Sequence, residues 1–341
     1  MKILAIESSC DDASASIVED GVNVLSLETL HQNEKFAKFG GVVPELASRG
    51  HVGLVFKAAK EALNKANITA NIIDAVAVTF APGLIGSLLT GLSFAKGFAI
   101  ARGVPLIAVH HLKGHVASNY IENPKLKPPF LCLVVSGGHT SIFDVKNYNE
   151  FKIIGKSIDD AAGEVFDKVA RYLEIPYPGG YYLDELANKG NPEAFVLPIP
   201  EISEFNFSFS GIKTWSINKI KENLEKSDFE RFKLDMCASL RFSVVKYLSK
   251  NLISAAKKLG RTNIAIAGGV ASNSLLRHVL KSKCELNGIN FFCPSPKYCT
   301  DNAAMIGIQG FYEFKSGNTA PLDINAYANK KPIPEYIRSA L

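Results

Sequence analysis

The chain contains no CxxC pair: its cysteines, Cys10, Cys132, Cys237, Cys284, Cys293 and Cys299, are scattered, and several sit inside apolar, strand-like runs. They read as reduced, mostly buried thiols, as expected of a cytosolic protein. No apolar run is long enough to cross a bilayer, because the longest candidate, LLTGLSFAKGFAIARGVPLIAV, is interrupted by Lys96, Arg102 and Pro105. The start, MKILAIESSCDD, offers only Ile3 to Ile6 before Glu7, too little for the core of a signal peptide. Strong charge of either sign is also missing. A net charge of +5 allows a basic face for RNA or nucleotide phosphates without demanding one.

What is present is a globular composition, 341 residues with 47% hydrophobic and 21% charged, enough for two domains with separate cores. Periodicity predicts strands at 2–7, 13–19 and 22–28, a helix over about 44–66, a strand at DAVAVTF, a helix from about Gly83 and a strand at PLIAV. The second half repeats the order. FLCLVVS, TSIFDV and FKIIG are strands, AAGEVFDKVARYLE a helix, and an irregular insertion leads to a long helix over about 229–258. NIAIAG, SLLRHVLKSKC, INFFC and DNAAMIGIQGFYEF then alternate strand and helix. A β-β-β-α-β-α order occurring twice predicts two similar α/β lobes with a cleft between them. The expected domains are 1–110, to which a closing helix at 301–341 returns, and 111–300 with an insertion at about 176–228.

Three glycine- or serine-rich turns punctuate this order: AIESSCDDASASI, VVSGGHTSI and IAIAGGVASN. In the last, glycines let backbone N–H groups approach an anion at a helix N-terminus. Any one of them is equally a turn that needs φ > 0. The three together are similar to the arrangement of the actin, Hsp70 and sugar-kinase superfamily, a likeness of fold alone.

HHLKGHVASNY places His110, His111 and His115, three of the chain's seven histidines, close together. If this segment is helical, His111 and His115 share one face and can share a metal, whereas His110 points elsewhere. Spacing alone fits a surface or capping feature as well. A metalloprotease of the HExxH type is disfavoured, since Leu112 stands where its glutamate base would be. Asp301 in YCTDNAAMIG is the candidate third ligand, with a helix N-cap as its plain alternative. Two histidines and one carboxylate suit Fe(II) or Zn(II) and leave positions open for a substrate. No Ser-His-Asp or Cys-His arrangement stands out.

ILAIESSCDD, GGVVPELASRGH, PGLIGSLLTG, HHLKGH, VVSGGHTS, AAGEVFDKVAR, YPGG, FSFSGIKT, GGVASNSLLR and CTDNAAMIG occur in the order seen in the TsaD/Gcp family, which the chain therefore resembles over about residues 3 to 315. Ser136 in the VVSGG turn places the likeness with the bacterial or organellar branch. The resemblance implies a tRNA adenosine threonylcarbamoyltransferase with an actin/Hsp70/sugar-kinase-like (ASKHA) fold. The group would pass from threonylcarbamoyl-adenylate to N6 of the adenosine 3′ of the anticodon, in tRNAs reading codons that begin with A. It also implies one divalent metal, Fe(II) ahead of Zn(II), on His111, His115 and Asp301. The implied substrate set is Val134, Val135, Ser136, Gly137, Gly138, Asp167, Gly180, Asp184 and Asn273. His139, directly after the glycine turn, is a candidate to orient the carbamoyl or phosphate group, with a packing histidine in a strand as its plain alternative. Implied partners are tRNA, a smaller paralogue of the same superfamily (TsaB-like) and a P-loop ATPase (TsaE-like), with no membrane.

Several residues carry two readings. Asp167 and Asp184 bind ribose hydroxyls or the threonine amine, or are solvated helix-surface carboxylates; Asn273 contacts nucleotide or caps a helix. Glu45 and Arg49 lie at the substrate or form a surface ion pair. Lys213, beside Phe207 and Phe209, is a candidate for the RNA backbone. The helix VPELASRGHVGLVFKAAKEAL offers an apolar stripe for the paralogue or for its own sheet. The sequence departs from the family pattern at Asp12, where glutamate is usual, and at Ala81, His110, Tyr181 and Asn206. A kinase and a non-catalytic nucleotide-binding scaffold remain the alternatives from other classes.

Overall fold

The computed structural model describes residues 1–328, apart from 33–35, 37, 38, 40 and 203. The chain divides into two compact units. Unit 1 comprises Met1–Pro128, Val145–Lys152 and the chain from Lys297 on; unit 2 comprises Pro129–Asp144 and Ile153–Pro296.

Unit 1 is built on a five-stranded sheet of β1 (Lys2–Glu7), β2 (Ala13–Glu19), β3 (Asn23–Leu30), β4 (Ala75–Ala81) and β5 (Leu106–His110), in the order β3-β2-β1-β4-β5. β1 pairs antiparallel with β2 and parallel with β4. Both β1 and β4 are buried on two faces, which explains why they read as continuous apolar runs and not as alternating ones. Period-two geometry sends Ile3 and Ala5 to one side and Leu4 and Ile6 to the other. Leu4 and Ile6 pack with Val55 of α1 (Pro44–Lys65) and with Leu88 and Leu92 of α2 (Ile85–Arg102). Ile3 and Ala5 pack with Met305 and Ile306 of α9 (Ala303–Lys315).

Unit 2 repeats the topology. β6 (Phe130–Val135), β7 (Thr140–Val145), β8 (Phe151–Lys156), β9 (Asn263–Ala267) and β10 (Asn290–Phe292) take the order β10-β9-β6-β7-β8, the first sheet's order with the direction of listing reversed. Its helices are α4 (Ala162–Tyr172), α5 (Gly179–Ala187), α6 (Ser210–Lys221), α7 (Phe229–Leu259) and α8 (Ser274–Leu286). α7 buries Met236, Leu240, Val244, Leu248 and Leu252 at four-residue intervals, a stripe that holds a helix of 31 residues on its unit. The expected irregular insertion contains α5 and α6, which the sequence pattern did not reveal.

α3 (His111–Glu122) belongs to unit 1, so the chain divides after 128 and not after 110. The physical reason is close packing against α9. A Cβ at Gly114 would stand 2.7 Å from Ile306 Cδ1, and one at Gly307 would stand 2.5 Å from Val18 Cγ2. Glycine at these positions lets α3 seat on α9 and α9 on the sheet. The helix expected at 301–341 ends at Lys315, and 329–341 lie outside the described residues.

Candidate metal centre and substrate-binding set

β5 delivers the chain directly into α3, so His111 occupies the first helical position and His115 stands one turn later on the same face. Asp301 arrives from the other side, just ahead of α9. Its expected alternative as the N-cap is taken by its neighbour: the Asn302 side chain accepts from the backbone N–H of Met305 at 3.1 Å. That leaves the Asp301 carboxylate available to the histidines. Oδ1 of Asp301 lies 3.5 Å from His111 Nε2 and 3.2 Å from His115 Nε2, and the three candidate ligand atoms fall within 4.8 Å of one another.

The donor set fits a divalent metal. His115 is fully buried, yet neither ring nitrogen makes a hydrogen bond; the short approach to Asp301 lacks hydrogen-bond alignment. A buried imidazole whose Nδ1 has no hydrogen-bond partner, and whose Nε2 meets only the Asp301 carboxylate, costs free energy that an ion would offset. His111 has the outer partner typical of a metal-bound imidazole, because its Nδ1 lies 3.1 Å from Glu7 Oε2 and 3.1 Å from Ser9 Oγ. Glu7 is itself buried and held: Oε1 accepts from the Ser9 N–H at 2.6 Å and Oε2 from the Thr79 hydroxyl. Burial works against charge on His111, but Glu7 and Asp301 outweigh it and lift the imidazole to about 9. His115, where burial dominates, is pushed down.

Glu7, Ser9 and Thr79 escaped the sequence reading. The available signal was a carboxylate ending an apolar strand, since an acid inside a core needs a partner. His110 faces elsewhere as expected, its ring edge-on to Phe80 with centroids 6.4 Å apart. Asp12 pairs with His31 Nδ1 at 3.0 Å. Burial and the neighbouring Asp11 nonetheless raise its carboxyl to about 7.

Unit 2 gathers much of the expected substrate set. Asp184 on α5 is bonded on both oxygens: Oδ1 accepts from Arg241 at 2.9 Å and Asn273 at 2.7 Å, Oδ2 from the Ser274 N–H at 3.3 Å and hydroxyl at 3.1 Å. Asn273 takes the capping role of its two expected ones, its Oδ1 accepting from the Leu276 N–H of α8 at 2.9 Å. Arg241, another residue the sequence reading missed, also donates to the Asp184 carbonyl and to Asn188 Oδ1. Asp167 accepts the Gly180 N–H at 3.0 Å, and burial raises its carboxyl despite that bond.

In the turn after β6, the Ser136 N–H donates to the His139 carbonyl at 2.8 Å and the His139 N–H to Ser136 Oγ at 3.1 Å. Gly137 and Gly138 are exposed at its tip. Val134 and Val135 do not join them. Both side chains are buried in β6, with Val134 in register with Ala267 of β9, so they support the turn from the core.

Two other candidates resolve to structural roles. Lys213 pairs with Asp160, while Phe207 and Phe209 are fully buried against Tyr247 and so unavailable for stacking on a base. Glu45 and Arg49 form an exposed ion pair one helical turn apart, at 2.7 Å.

Comparison with known proteins gives the arrangement its family. The family model described as TsaD, tRNA N6-adenosine threonylcarbamoyltransferase, matches residues 23–308. A Clostridium botulinum (strain Kyoto / Type A2) protein of that name is 49% identical over 333 residues, covering 97% of this chain and 98% of the relative. One from Clostridium novyi (strain NT) is 48% identical over 335 residues, with the same coverage. Two solved structures share the fold. Component A of the Acidaminococcus fermentans (R)-2-hydroxyglutaryl-CoA dehydratase has a TM-score of 0.54 at 17% identity, covering 92% of this chain and 98% of its own. HypF from T. kodakarensis has a TM-score of 0.61 at 14% identity, covering 92% of this chain and 48% of its own. With two α/β units of the actin/Hsp70/sugar-kinase type and this degree of identity across nearly its whole length, the chain belongs to the TsaD family of tRNA N6-adenosine threonylcarbamoyltransferases.

Proposed function

We propose that the chain transfers the threonylcarbamoyl group from threonylcarbamoyl-adenylate to N6 of the adenosine 3′ of the anticodon in tRNAs reading ANN codons. The observation that carries this reading is the meeting of the buried His111 and His115 with the half-buried Asp301, the His115 ring nitrogens making no hydrogen bond. The reading assigns them a divalent metal, Fe(II) ahead of Zn(II), because two histidines and one carboxylate with open positions suit non-haem iron. Such a metal supplies Lewis-acid polarisation and a template for the substrate's oxygens.

The adenylate is a mixed anhydride already activated for transfer, so no covalent enzyme nucleophile is required. N6 attacks the carbamoyl carbon, the bond from that carbon to the phosphate oxygen breaks, AMP departs with the electron pair, and N6 gives up a proton. Gly137 and Gly138 present backbone N–H groups to the negative charge, since the Ser136 N–H is occupied within the turn. His139 orients the carbamoyl or phosphate group beside them. Asp167 and Asp184 fix the ribose or the threonine amine, each held in place by the helix termini it serves. Alignment of amine and carbonyl supplies much of the acceleration.

No helix among the described residues is long and apolar enough to cross a membrane, and the reading places the enzyme in the cytosol with a TsaB-like paralogue and a TsaE-like ATPase. Val52 and Phe56, 71% and 62% exposed on α1, suit the paralogue contact. The test is nucleoside mass spectrometry of unmodified tRNA transcripts incubated with the chain, its partners and preformed adenylate. Threonylcarbamoyladenosine in an ANN-reading transcript, and none in an otherwise matched transcript reading other codons, is the expected result. Its absence with active adenylate present would overturn the reading.

A further inference from the structure

Between Met236 and Pro296 the chain carries nine lysines and arginines against a single acid, Glu285, although the whole protein is only +5. The arginines in this stretch are committed. Arg241 holds Asp184, Arg261 holds Asp144, and Arg277 donates to the carbonyls of Ala271 and Pro294. Four of the six lysines are not: Lys246, Lys250, Lys257 and Lys281 are exposed, and none pairs with a carboxylate among the described residues, whereas Lys258 lies over the Phe205 ring. Lys283 donates to Ser249 Oγ at 2.8 Å, and its ammonium is pushed down first by burial and then by Lys246. An accumulation of uncompensated cations raises the energy of the free protein and is relieved by a polyanion.

Geometry connects these lysines to the substrate set of the same unit. α7 and α8 both begin their contact at Asp184, through Arg241 on one and Asn273 and Ser274 on the other. Further along both chains, Lys283 of α8 meets Ser249 of α7. The two helices therefore run side by side in the same direction away from Asp184. At 1.5 Å per residue, Lys246, Lys250 and Lys281 lie about 8–14 Å along them.

We propose that this lysine ridge on α7 and α8 is the surface on which the tRNA phosphate backbone lies while the target adenosine is presented for transfer. The inference rests on the tRNA-modifying reading above and adds the place where the nucleic acid docks. RNA is the occupant the surface chemistry favours. Between Lys246 and Lys257 and between Lys281 and its neighbours one turn away, Ser254, His278 and Ser282 are exposed, hydrogen-bonding side chains that a phosphodiester can use and an acyl chain cannot; the exposed leucines, Leu259 and Leu286, lie at the far ends of the two helices. Lysines that contact only phosphate contribute affinity without reading sequence, as an enzyme acting on several tRNAs requires.

The test compares the full-length wild type with the triple variant Lys246→Ala, Lys250→Ala, Lys281→Ala, and with the same three positions changed to Arg. Fluorescence anisotropy with unmodified tRNA across a salt series gives Kd and its salt slope; nucleoside mass spectrometry on the same samples gives transfer. The alanine variant is expected to bind about tenfold more weakly, with a slope shallower by about 2, near 0.7 for each lost single-strand phosphate contact. Its transfer defect falls on KM for tRNA, and the arginine variant binds as the wild type does. A folded alanine variant with wild-type Kd and slope overturns the ridge. So does one that loses binding only to phosphatidylglycerol vesicles. Absence of transfer in the wild type itself would strike the underlying tRNA reading instead, and the two failures are thereby separable.

Discussion

The two units solve opposite electrostatic problems. In unit 1, His115 is completely buried and both ring nitrogens lack hydrogen bonds, whereas in unit 2 Asp184 is bonded on both oxygens by four donor groups from three residues. Unsatisfied buried donors mark a place whose occupant comes from outside the chain; a fully satisfied carboxylate marks a framework complete in itself. The same strand topology thus carries side chains that lack internal partners in one unit and, at Asp184 in the other, a carboxylate already fixed by its neighbours.

The contrast is broken most severely at the metal ligands. Asp301→Ala should lower bound iron, measured by elemental analysis after dialysis, and reduce transfer more than a hundredfold, beyond the ~10–100-fold typical of outer-shell changes. The contacts within unit 2 should survive, so adenylate affinity by calorimetry should fall by less than transfer does. Glu7→Gln comes next. It removes the charge facing His111 Nδ1 while keeping the shape, and should weaken metal affinity about 10–100-fold in a chelator competition.

Asp184→Asn attacks the other unit. It leaves the guanidinium of Arg241, 7% exposed, without its carboxylate, and should cost about 2 kcal/mol in denaturant unfolding with iron content unchanged. The smallest effect is expected at Asp12, whose carboxyl is raised to about 7 by burial and Asp11. A carboxyl raised in the fold favours the protonated form, so its stabilising contribution is intact below the unfolded pKa near 4 and is lost as pH rises through 7. Asp12→Asn should therefore raise Tm at pH 8 and leave it unchanged at pH 4.

Much of the fold was legible because the central strands and the long helices bury regular stripes. Ile3 to Ile6 and Met236 to Leu252 announce their elements through period and apolarity alone. α6 was hidden because its buried face, Ile212, Ser216 and Ile220, places a serine in the middle of the stripe. α5 begins on a Gly-Gly pair and spans only nine residues, too short for periodicity to register.

The metal ligands divide the same way. HxxxH is a local pattern, but the approach of Asp301 to the histidines, with Asn302 taking the helix cap, and the role of Glu7 depend on contacts across more than a hundred residues of chain. Val134 and Val135 entered the substrate set through family resemblance, and burial in β6 takes their side chains out of it.

The most direct test of the central claim uses His115→Ala, because a ring with no hydrogen bonds to the protein can be removed without breaking any. Wild type and variant, each stripped of metal and reloaded with Fe(II), are given preformed adenylate and unmodified ANN-reading tRNA, and the nucleosides are analysed by mass spectrometry. Threonylcarbamoyladenosine is expected from the wild type and essentially none from a variant that remains folded and keeps its tRNA affinity. Wild-type levels of the modified nucleoside from the folded variant would contradict the claim.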